Sequence, residues 1–227
     1  METEERLNTM ILCDNTKLLL FDLDGTLVDT KDVIVKSFVL AAQKMDIKID
    51  PKRVRELVGY PLMDVVKGSL LENYDKETID RFVRLRKSIM EQLWRKEAKL
   101  FNDVTPVLEA LSKRKDVILG IASSSIIERI IEMTKYFGII KYFKILSGVQ
   151  KGVKGKPHPD VLVYAMEKTG IQRECTIYIG DAEIDCITAR NAGITFMLIN
   201  RDCCDVNTWK YKPDLVIHSL HDILSVI

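Results

Sequence analysis

A run of apolar residues that ends in two carboxylates constrains the fold of this chain more than any other feature. Residues 17–27 read KLLLFDLDGTL, so the apolar run leads directly into Asp22 and Asp24, and a Gly-Thr turn follows. A short apolar run bounded by a turn is typical of a buried strand. Open α/β sheets bind their ligands at the carboxyl ends of parallel strands. We therefore predict that Asp22 and Asp24 lie in a cleft at the end of such a strand.

The two acidic side chains alone leave two interpretations open. Crowded carboxylates repel each other unless a cation neutralises them or one of them holds a proton, and both arrangements are useful to an enzyme. An Asp-X-Asp-Gly run is also common as a plain polar turn, because Asp and Gly are favoured in turns. Other parts of the sequence are needed to distinguish a catalytic site from a plain polar turn.

Length and charge narrow the class of protein. At 227 residues the chain is long for one domain and short for two, which favours a main domain with an insert. Its 34 Lys and Arg balance 33 Asp and Glu, so no overall field attracts nucleic acid or an anionic membrane. No apolar run approaches the roughly 20 residues of a membrane-spanning helix, and the polar start of the chain is unlike a secretory signal. We expect a cytoplasmic protein that binds neither nucleic acid nor membranes.

The cysteine pattern does not predict a metal site. Cys13, Cys175, Cys186, Cys203 and Cys204 include no CxxC pair and have no histidine at metal-ligand spacing, so structural zinc is not expected. Without an export signal, we expect reduced thiols.

Residues 31–99 show helical periodicity with no strand between the helices. Four helices are predicted to begin near Lys31, Pro51, Pro61 and Asp75, and Thr30, Asp50 and Asp75 are predicted to cap the first, second and fourth of them. In the last of them the apolar stripe has one charged member, Arg86. Four consecutive helices directly after the first strand of an α/β pattern indicate an inserted helical bundle. We therefore divide the chain into a discontinuous core domain, 1–30 with 100–227, and a helical domain, 31–99.

From residue 104 onward, strands and helices alternate. Strands are predicted at 117–122, 143–146, 176–179, 194–199 and, as an edge, 214–217, and Ser124 or Ser125 is predicted to cap the helix that ends at Phe137. Repeated β-α units joined by right-handed crossovers give a mostly parallel sheet with helices on both faces. The predicted fold class is therefore α/β, a Rossmann-like parallel sheet core with an inserted helical-bundle domain.

Polar residues follow four of the predicted strands or the loops beside them. Asp22 and Asp24 follow the first strand, and the others are Ser123 to Ser125, Lys156, and the pair Asp181 and Asp185. Because the carboxyl ends of parallel strands share one edge of the sheet, we expect these side chains to converge.

This set of side chains suits phosphoryl transfer. The carboxylates of Asp22, Asp181 and Asp185, with a backbone carbonyl, form an oxygen-rich site of the kind Mg²⁺ prefers. Lys156, the Ser123 hydroxyl and nearby backbone N–H groups can hold phosphate oxygens. Asp22 would then attack phosphorus as the nucleophile, and Asp24 would act as general acid and base.

Four segments in chain order resemble the motifs of the haloacid dehalogenase-like (HAD) phosphohydrolase superfamily. They are DLDGTL at 22–27, Ser123 after an apolar strand, GKPHPD at 155–160 and GDAEID at 180–185. The insert at 31–99 resembles the helical C1 cap of the phosphoglycolate phosphatase and β-phosphoglucomutase branch. The resemblance covers nearly the whole chain from Lys17.

The resemblance implies a role for each of these residues. The implied catalytic residues are Asp22, Asp24, Ser123 and Lys156, and the implied metal ligands are Asp22, Asp24 through its carbonyl, Asp181, and Asp185 in support.

Residues 57–61 resemble the family's substrate-specificity loop, in which Gly59 permits close backbone approach. Arg55 is a candidate to hold a second anionic group of a small substrate. Thr26, which supports the first motif, and Ser124 complete the predicted substrate-binding set.

The leading hypothesis is a Mg²⁺-dependent phosphatase for a small phosphorylated metabolite, phosphoglycolate-like or a sugar phosphate. It would act through an aspartyl-phosphate on Asp22, as a monomer or weak homodimer. Asp24, a second acid two residues after the nucleophile, distinguishes the chain from the dehalogenases of the superfamily. Two alternatives stay open: a β-phosphoglucomutase-like phosphomutase, although Ile34 stands where those enzymes carry a histidine, and a non-catalytic regulatory binding module on the same fold.

Overall fold

The computed structural model describes residues 16–227 and shows an α/β fold. Its strands are β1 (Lys17–Phe21), β2 (Val28–Asp29), β3 (Lys99–Leu100), β4 (Val117–Ile126), β5 (Ile145–Val149), β6 (Thr176–Gly180), β7 (Thr195–Ile199) and β8 (Leu215–Ile217). Its helices are α1 (Lys31–Met45), α2 (Pro51–Glu56), α3 (Leu62–Ser69), α4 (Lys76–Glu97), α5 (Val104–Ser112), α6 (Ile127–Tyr136), α7 (Asp160–Thr169), α8 (Glu183–Ala192) and α9 (Ile223–Val226).

The strand β1 occupies the middle of a six-stranded sheet in the described part of the chain. The strand order is β5-β4-β1-β6-β7-β8, and each neighbouring pair is parallel. Phe21 aligns with Ile121 of β4 and with Ile179 of β6, so these three strands end side by side. The prediction of a buried parallel strand before Asp22 is confirmed, and it places that residue at the carboxyl edge of the sheet.

Alternate residues of β1 pack into two different cores. Leu19 and Phe21 belong to a cluster with helices α5 and α6, and Leu18 and Leu20 belong to a cluster with α7 and α8. This follows from the two-residue period of a strand, since a strand covered on both faces must be apolar throughout. From β1 the chain builds β4 and β5 on one side and then returns to β6 on the other, and such a reversal is where α/β sheets open a ligand crevice.

The helices α1 to α4 follow one another without an intervening strand, as predicted. The short strands on either side of them, β2 and β3, pair antiparallel, so the chain leaves and re-enters the sheet region at one place. The predicted caps Asp50 and Asp75 each accept a hydrogen bond from a backbone N–H in the first turn. The predicted cap Thr30 does not cap α1 with its side chain and instead donates to Asp24 Oδ1 at 2.7 Å.

Two predicted boundaries are wrong. The strand predicted at 143–146 lies at Ile145–Val149, and β4 continues through the serines to Ile126, past an irregularity in its pairing with β5. The N-cap of α6 is therefore Ile126 and not Ser124 or Ser125. The reason is that these hydroxyl groups are engaged elsewhere: Ser125 Oγ donates to Asp24 Oδ2 at 3.2 Å, and Ser124 Oγ accepts from the Lys156 N–H at 3.1 Å.

The cysteines follow the prediction in part. Cys186, Cys203 and Cys204 are free thiols. Cys175 is disulfide-bonded, so the expectation of reduced thiols is wrong for this residue. The expectation was drawn from the compartment, and the compartment does not determine which thiols lie within bonding distance. Cys13 lies outside the described residues.

The described helices include none that combines the length and the apolar character needed to cross a bilayer.

Candidate active site

A fully buried lysine joins two carboxylates at the carboxyl edge of the sheet. Lys156 Nζ lies 2.6 Å from Asp185 Oδ1 and 3.0 Å from Asp22 Oδ1, and its side chain is 0% exposed. Burial alone would lower the pKa of Lys156, but the two carboxylates outweigh it and raise the pKa. The lysine is therefore charged. A buried ammonium stays charged only when carboxylates are paired with it, as they are here.

The negative charge around Asp22 exceeds what the single ammonium of Lys156 neutralises. Burial raises the pKa of Asp22 to about 8, and the nearby Asp185, Asp181 and Asp24 act in the same direction, whereas Lys156 lowers it. The Oδ1 atom of Asp22 forms the 3.0 Å ion pair with Lys156 and makes no further hydrogen bond to any residue of 16–227. A buried carboxylate crowded by three other acids and facing one ammonium indicates that a further cation belongs here.

The carboxylate of Asp185 holds the loop after β6 in place. Its Oδ1 accepts from Tyr178 Oη at 3.0 Å as well as from Lys156, and its Oδ2 accepts from the backbone N–H groups of Asp181 and Ala182 at 3.2 and 3.1 Å. The close packing requires glycine at position 180, because a Cβ there would lie 2.5 Å from the Asp185 carboxylate. These contacts hold the Asp185 carboxylate beside Lys156 and the backbone of Asp181.

Three buried acids form a group that fits a divalent cation. Asp22, Asp181 and Asp185 each offer an oxygen, and these oxygens lie within 4.8 Å of one another. Asp181 Oδ1 accepts from Thr26 Oγ1 at 2.9 Å, and its Oδ2 lies 2.6 Å from Lys31 Nζ without a hydrogen-bond partner in residues 16–227. Hard carboxylate oxygens with unused lone pairs are the donor set of Mg²⁺, so the residues present fit this ion.

The Asp24 side chain is held apart from the group formed by the other three acids. It accepts from Thr30 at 2.7 Å, from Ser125 at 3.2 Å and from the Arg129 guanidinium at 3.1 Å. Its carboxylate nevertheless lines the same cavity as Asp22. The two acids of the first motif therefore line one cavity, although their side chains are held by different partners.

That cavity lies between the sheet edge and the helices α1 to α4 and has a volume of about 520 Å³. Ser123 and Ser124 line it from β4, and Gly59 lines it from the loop between α2 and α3. Gly59 has φ +102°, and a Cβ at this position would lie 3.9 Å from Lys156 Nζ. The loop thus reaches Lys156, and only glycine adopts this backbone conformation freely.

Of the predicted substrate-binding residues, Arg55 is placed elsewhere. It is exposed, forms an ion pair with Asp32, and is not among the residues that line the cavity. Thr26 contacts Asp181 and supports the acid group from the first motif.

Sequence reasoning missed several charged or polar residues of the site. Lys31 and Arg129 lie on helices that follow motif segments, and no motif or spacing in the sequence singles them out. Tyr178 is indistinguishable in the sequence from an ordinary strand residue. Arg86, which lines the cavity from α4, carried a signal, because it is the charged member of an otherwise apolar stripe.

Comparison with known proteins identifies the family. Residues 19–199 match the family model described as haloacid dehalogenase-like hydrolase. A protein of Caldanaerobacter subterraneus, provisionally named pyrophosphatase PpaX, is 30% identical over 211 residues, which cover 92% of this chain and 93% of that protein. A haloacid dehalogenase-like hydrolase structure from Streptococcus pneumoniae is 25% identical, with a TM-score of 0.79 over 92% of this chain and 97% of that one.

A further structure is similar in fold. It comes from Haemophilus somnus, is provisionally named phosphoglycolate phosphatase, and has a TM-score of 0.82 at 22% identity, covering 93% of this chain and 97% of that one. Because the family match extends from β1 to β7, across the sheet edge that carries all four acids, the chain belongs to the haloacid dehalogenase-like hydrolases.

Proposed function

We propose that the protein hydrolyses a small organic phosphate monoester through a phosphorylated Asp22. The observation that carries this proposal is the ion-pair set in which buried Lys156 lies 3.0 Å from Asp22 and 2.6 Å from Asp185, beside a cavity. A carboxylate at a cavity wall with a fixed ammonium behind it provides both a nucleophile and positive charge for an arriving phosphate.

The two acids of the first motif divide the chemistry between them. A carboxylate oxygen of Asp22 bonds to phosphorus while the bond to the ester oxygen breaks, and Asp24 gives its proton to that leaving oxygen. Asp24 then takes a proton from water, whose oxygen bonds to phosphorus and releases inorganic phosphate and Asp22. The Ser123 hydroxyl and the nearby backbone N–H groups orient the phosphoryl oxygens during both steps.

Magnesium is the cofactor that this donor set supports. Asp22, Asp181 and the carbonyl of Asp24 would hold it, and Asp185 would fix Asp181 and the loop around it. When bound, the ion neutralises negative charge shared by the carboxylates and the phosphate. The Asp22, Asp181 and Asp185 oxygens already lie within 4.8 Å of one another, so the site needs no large rearrangement.

The helices α1 to α4 are proposed to act as a cap domain, 31–99, over a core of 1–30 and 100–227. The antiparallel pairing of Val28 with Leu100 supports this division, because both crossings between the two parts lie side by side. A cap that closes over the cavity would exclude water until the phosphorylated Asp22 forms. We further propose that the protein is a cytoplasmic monomer.

Two other activities compete with this proposal. Pyrophosphate hydrolysis is favoured by the name of the 30% identical relative. A phosphomutase is disfavoured, because among the residues that line the cavity Ile34 is present and no histidine is. The products separate the three, since a mutase returns the phosphoryl group to its substrate, and the two hydrolases release inorganic phosphate from different substrates.

The deciding experiment measures phosphate release from phenyl phosphate and from pyrophosphate with Mg²⁺ present. We expect the wild type to hydrolyse phenyl phosphate and Asp22→Asn to lower kcat roughly a thousandfold or more, because the attacking oxygen is replaced by an amide. Asp80→Asn on α4, outside the cavity, is the matched control. Equal turnover by Asp22→Asn and wild type would contradict the nucleophile, and absence of turnover of any ester would favour the regulatory binding module.

A further inference from the structure

Arg86 is a buried cation in the apolar stripe of α4. The residue is only 6% exposed. Nε donates to Ser37 Oγ at 3.0 Å, and the guanidinium lies over the Phe38 ring, 4.8 Å from the ring centre. These contacts fix the plane of the guanidinium and leave its two terminal nitrogens without a hydrogen-bond acceptor in the described chain.

No carboxylate of residues 16–227 lies within 4.0 Å of Arg86. Asp24 and Glu91 are the acids that face it, and Arg129 is the cation that faces it. Both acids are engaged with other groups: Asp24 accepts from Arg129, and Glu91 accepts from Trp94 and Arg95. Burial lowers the pKa of Arg86 to about 9, so the group is still cationic at neutral pH. A buried charge without a counterion is costly, and such charges in proteins normally have a partner.

The unpartnered guanidinium lines the same cavity as Asp22 and Asp24. Its volume of about 520 Å³ is in the range of pockets that bind whole organic ligands, and inorganic phosphate needs far less. The other residues that line this cavity are largely apolar and include Ile34, Phe38, Val58, Val65, Val83 and Met90.

We propose that Arg86 binds a second anionic group of the substrate, and that an apolar body joins this group to the phosphate that Asp22 attacks. The inference rests on the proposed function and specifies its substrate class: an organic phosphate monoester with a carboxylate or equivalent anion at its far end. Pyrophosphate lacks the body that would contact the apolar walls. Arg129 does not take this role, because its guanidinium is already paired with Asp24 at 3.1 Å.

The test compares probes that differ only in the second charge. Phenyl phosphate is measured against 3-carboxyphenyl and 4-carboxyphenyl phosphate, with pyrophosphate as a fourth substrate. We expect the wild type to prefer at least one carboxylated probe by about tenfold or more in kcat/KM, the gain of a charge-assisted hydrogen bond. Arg86→Met should abolish this preference, so that kcat/KM for the carboxylated probes falls by about tenfold or more relative to kcat/KM for phenyl phosphate in the same variant. Arg84→Met, on the exposed face of the same helix, should retain the preference.

Each other outcome has a definite meaning. If the wild type hydrolyses all three aryl phosphates equally, the second-anion site is wrong and the phosphatase assignment stands. If Arg86→Met lowers turnover of charged and uncharged probes alike, Arg86 serves the transferred phosphate, and the proposal is overturned. The comparison of the probes with the wild type alone does not depend on whether the Arg86→Met variant folds.

If no probe is hydrolysed, the proposed function fails, and calorimetric binding of the same probes tests the site by itself. Tighter binding of a carboxylated probe that is lost in Arg86→Met would support the site, and equal affinities would refute it.

Discussion

At the residue scale, Lys156 is the buried counterion of two carboxylates of the site. It is fully buried between Asp22 and Asp185, so Lys156→Met leaves two buried carboxylates without their counterion. We expect this variant to lower the free energy of unfolding by roughly 3 to 5 kcal/mol, measured by urea denaturation at neutral pH without added divalent cation. Lys154→Met, in the exposed part of the same loop, should change it by less than about 0.5 kcal/mol.

A companion variant separates charge from packing. If the loss in Lys156→Met comes from unpaired carboxylates, adding Asp185→Asn should recover part of it, because one of the two charges is then removed. A double variant no more stable than Lys156→Met would indicate that the packing of the lysine stem is responsible. Full stability of Lys156→Met alone would contradict the buried ion-pair set.

The acids and the lysine were accessible to sequence reasoning, whereas for Arg86 the sequence showed an unusual charge in an apolar stripe and not where that charge lies. Asp22, Asp181 and Lys156 follow strands or their loops, and parallel strands bring such residues to one edge whatever their separation in sequence. The direction of a side chain on a helical insert depends on how the helices pack, so Arg55 and Arg86 could not be ranked before the structure.

At the element scale, the loop between α2 and α3 brings the helical insert close to Lys156. Gly59 has φ +102°, and a Cβ there would lie 3.1 Å from Ile184 Cγ2 and 3.9 Å from Lys156 Nζ. We expect Gly59→Ala to lose about 1 to 2 kcal/mol of stability from the backbone strain and to lower kcat/KM about tenfold as the loop shifts away from the site.

Gly138 provides a matched control for this variant. It also has a positive φ, +70°, but a Cβ there would meet nothing within 4 Å. Gly138→Ala should therefore show a similar loss of stability with unchanged kinetics. Equal kinetic effects of the two variants would show that Gly59 matters only for folding.

Elements whose pattern and boundary signals agree were the ones predicted well. The strand β7, predicted at 194–199, lies at Thr195–Ile199, because its apolar run follows a glycine at position 193. The strand β5 begins two residues later than predicted, because Phe143 satisfies the strand pattern but ends the short helical turn formed by residues 140–142. The extent of β4 depended on which groups the serine hydroxyls contact, and that is decided by distant residues such as Asp24.

At the scale of the whole molecule, the acid group joins the first and the last parts of the described chain. Asp22 follows β1, and Asp181 and Asp185 belong to the loop and helix after β6, yet their oxygens lie within 4.8 Å of one another. The parallel sheet order predicts this meeting, although it says nothing of how closely the carboxylates approach. Their mutual repulsion opposes folding, so a cation that binds only the folded state should stabilise the entire domain.

Magnesium addition tests this linkage without any measurement of activity. At a free Mg²⁺ concentration of 100 times its Kd, the wild type should gain about 2.7 kcal/mol in the free energy of unfolding, seen as a concentration-dependent rise in Tm. Asp181→Asn should show little or no rise, because it replaces one of the two carboxylates whose oxygens are left without hydrogen bonds. Asp116→Asn, distant in the fold from the acid group and exposed, should respond like the wild type. An equal rise in Asp181→Asn and wild type would place the bound cation elsewhere, and the oxygen-rich group would then serve the fold without a metal.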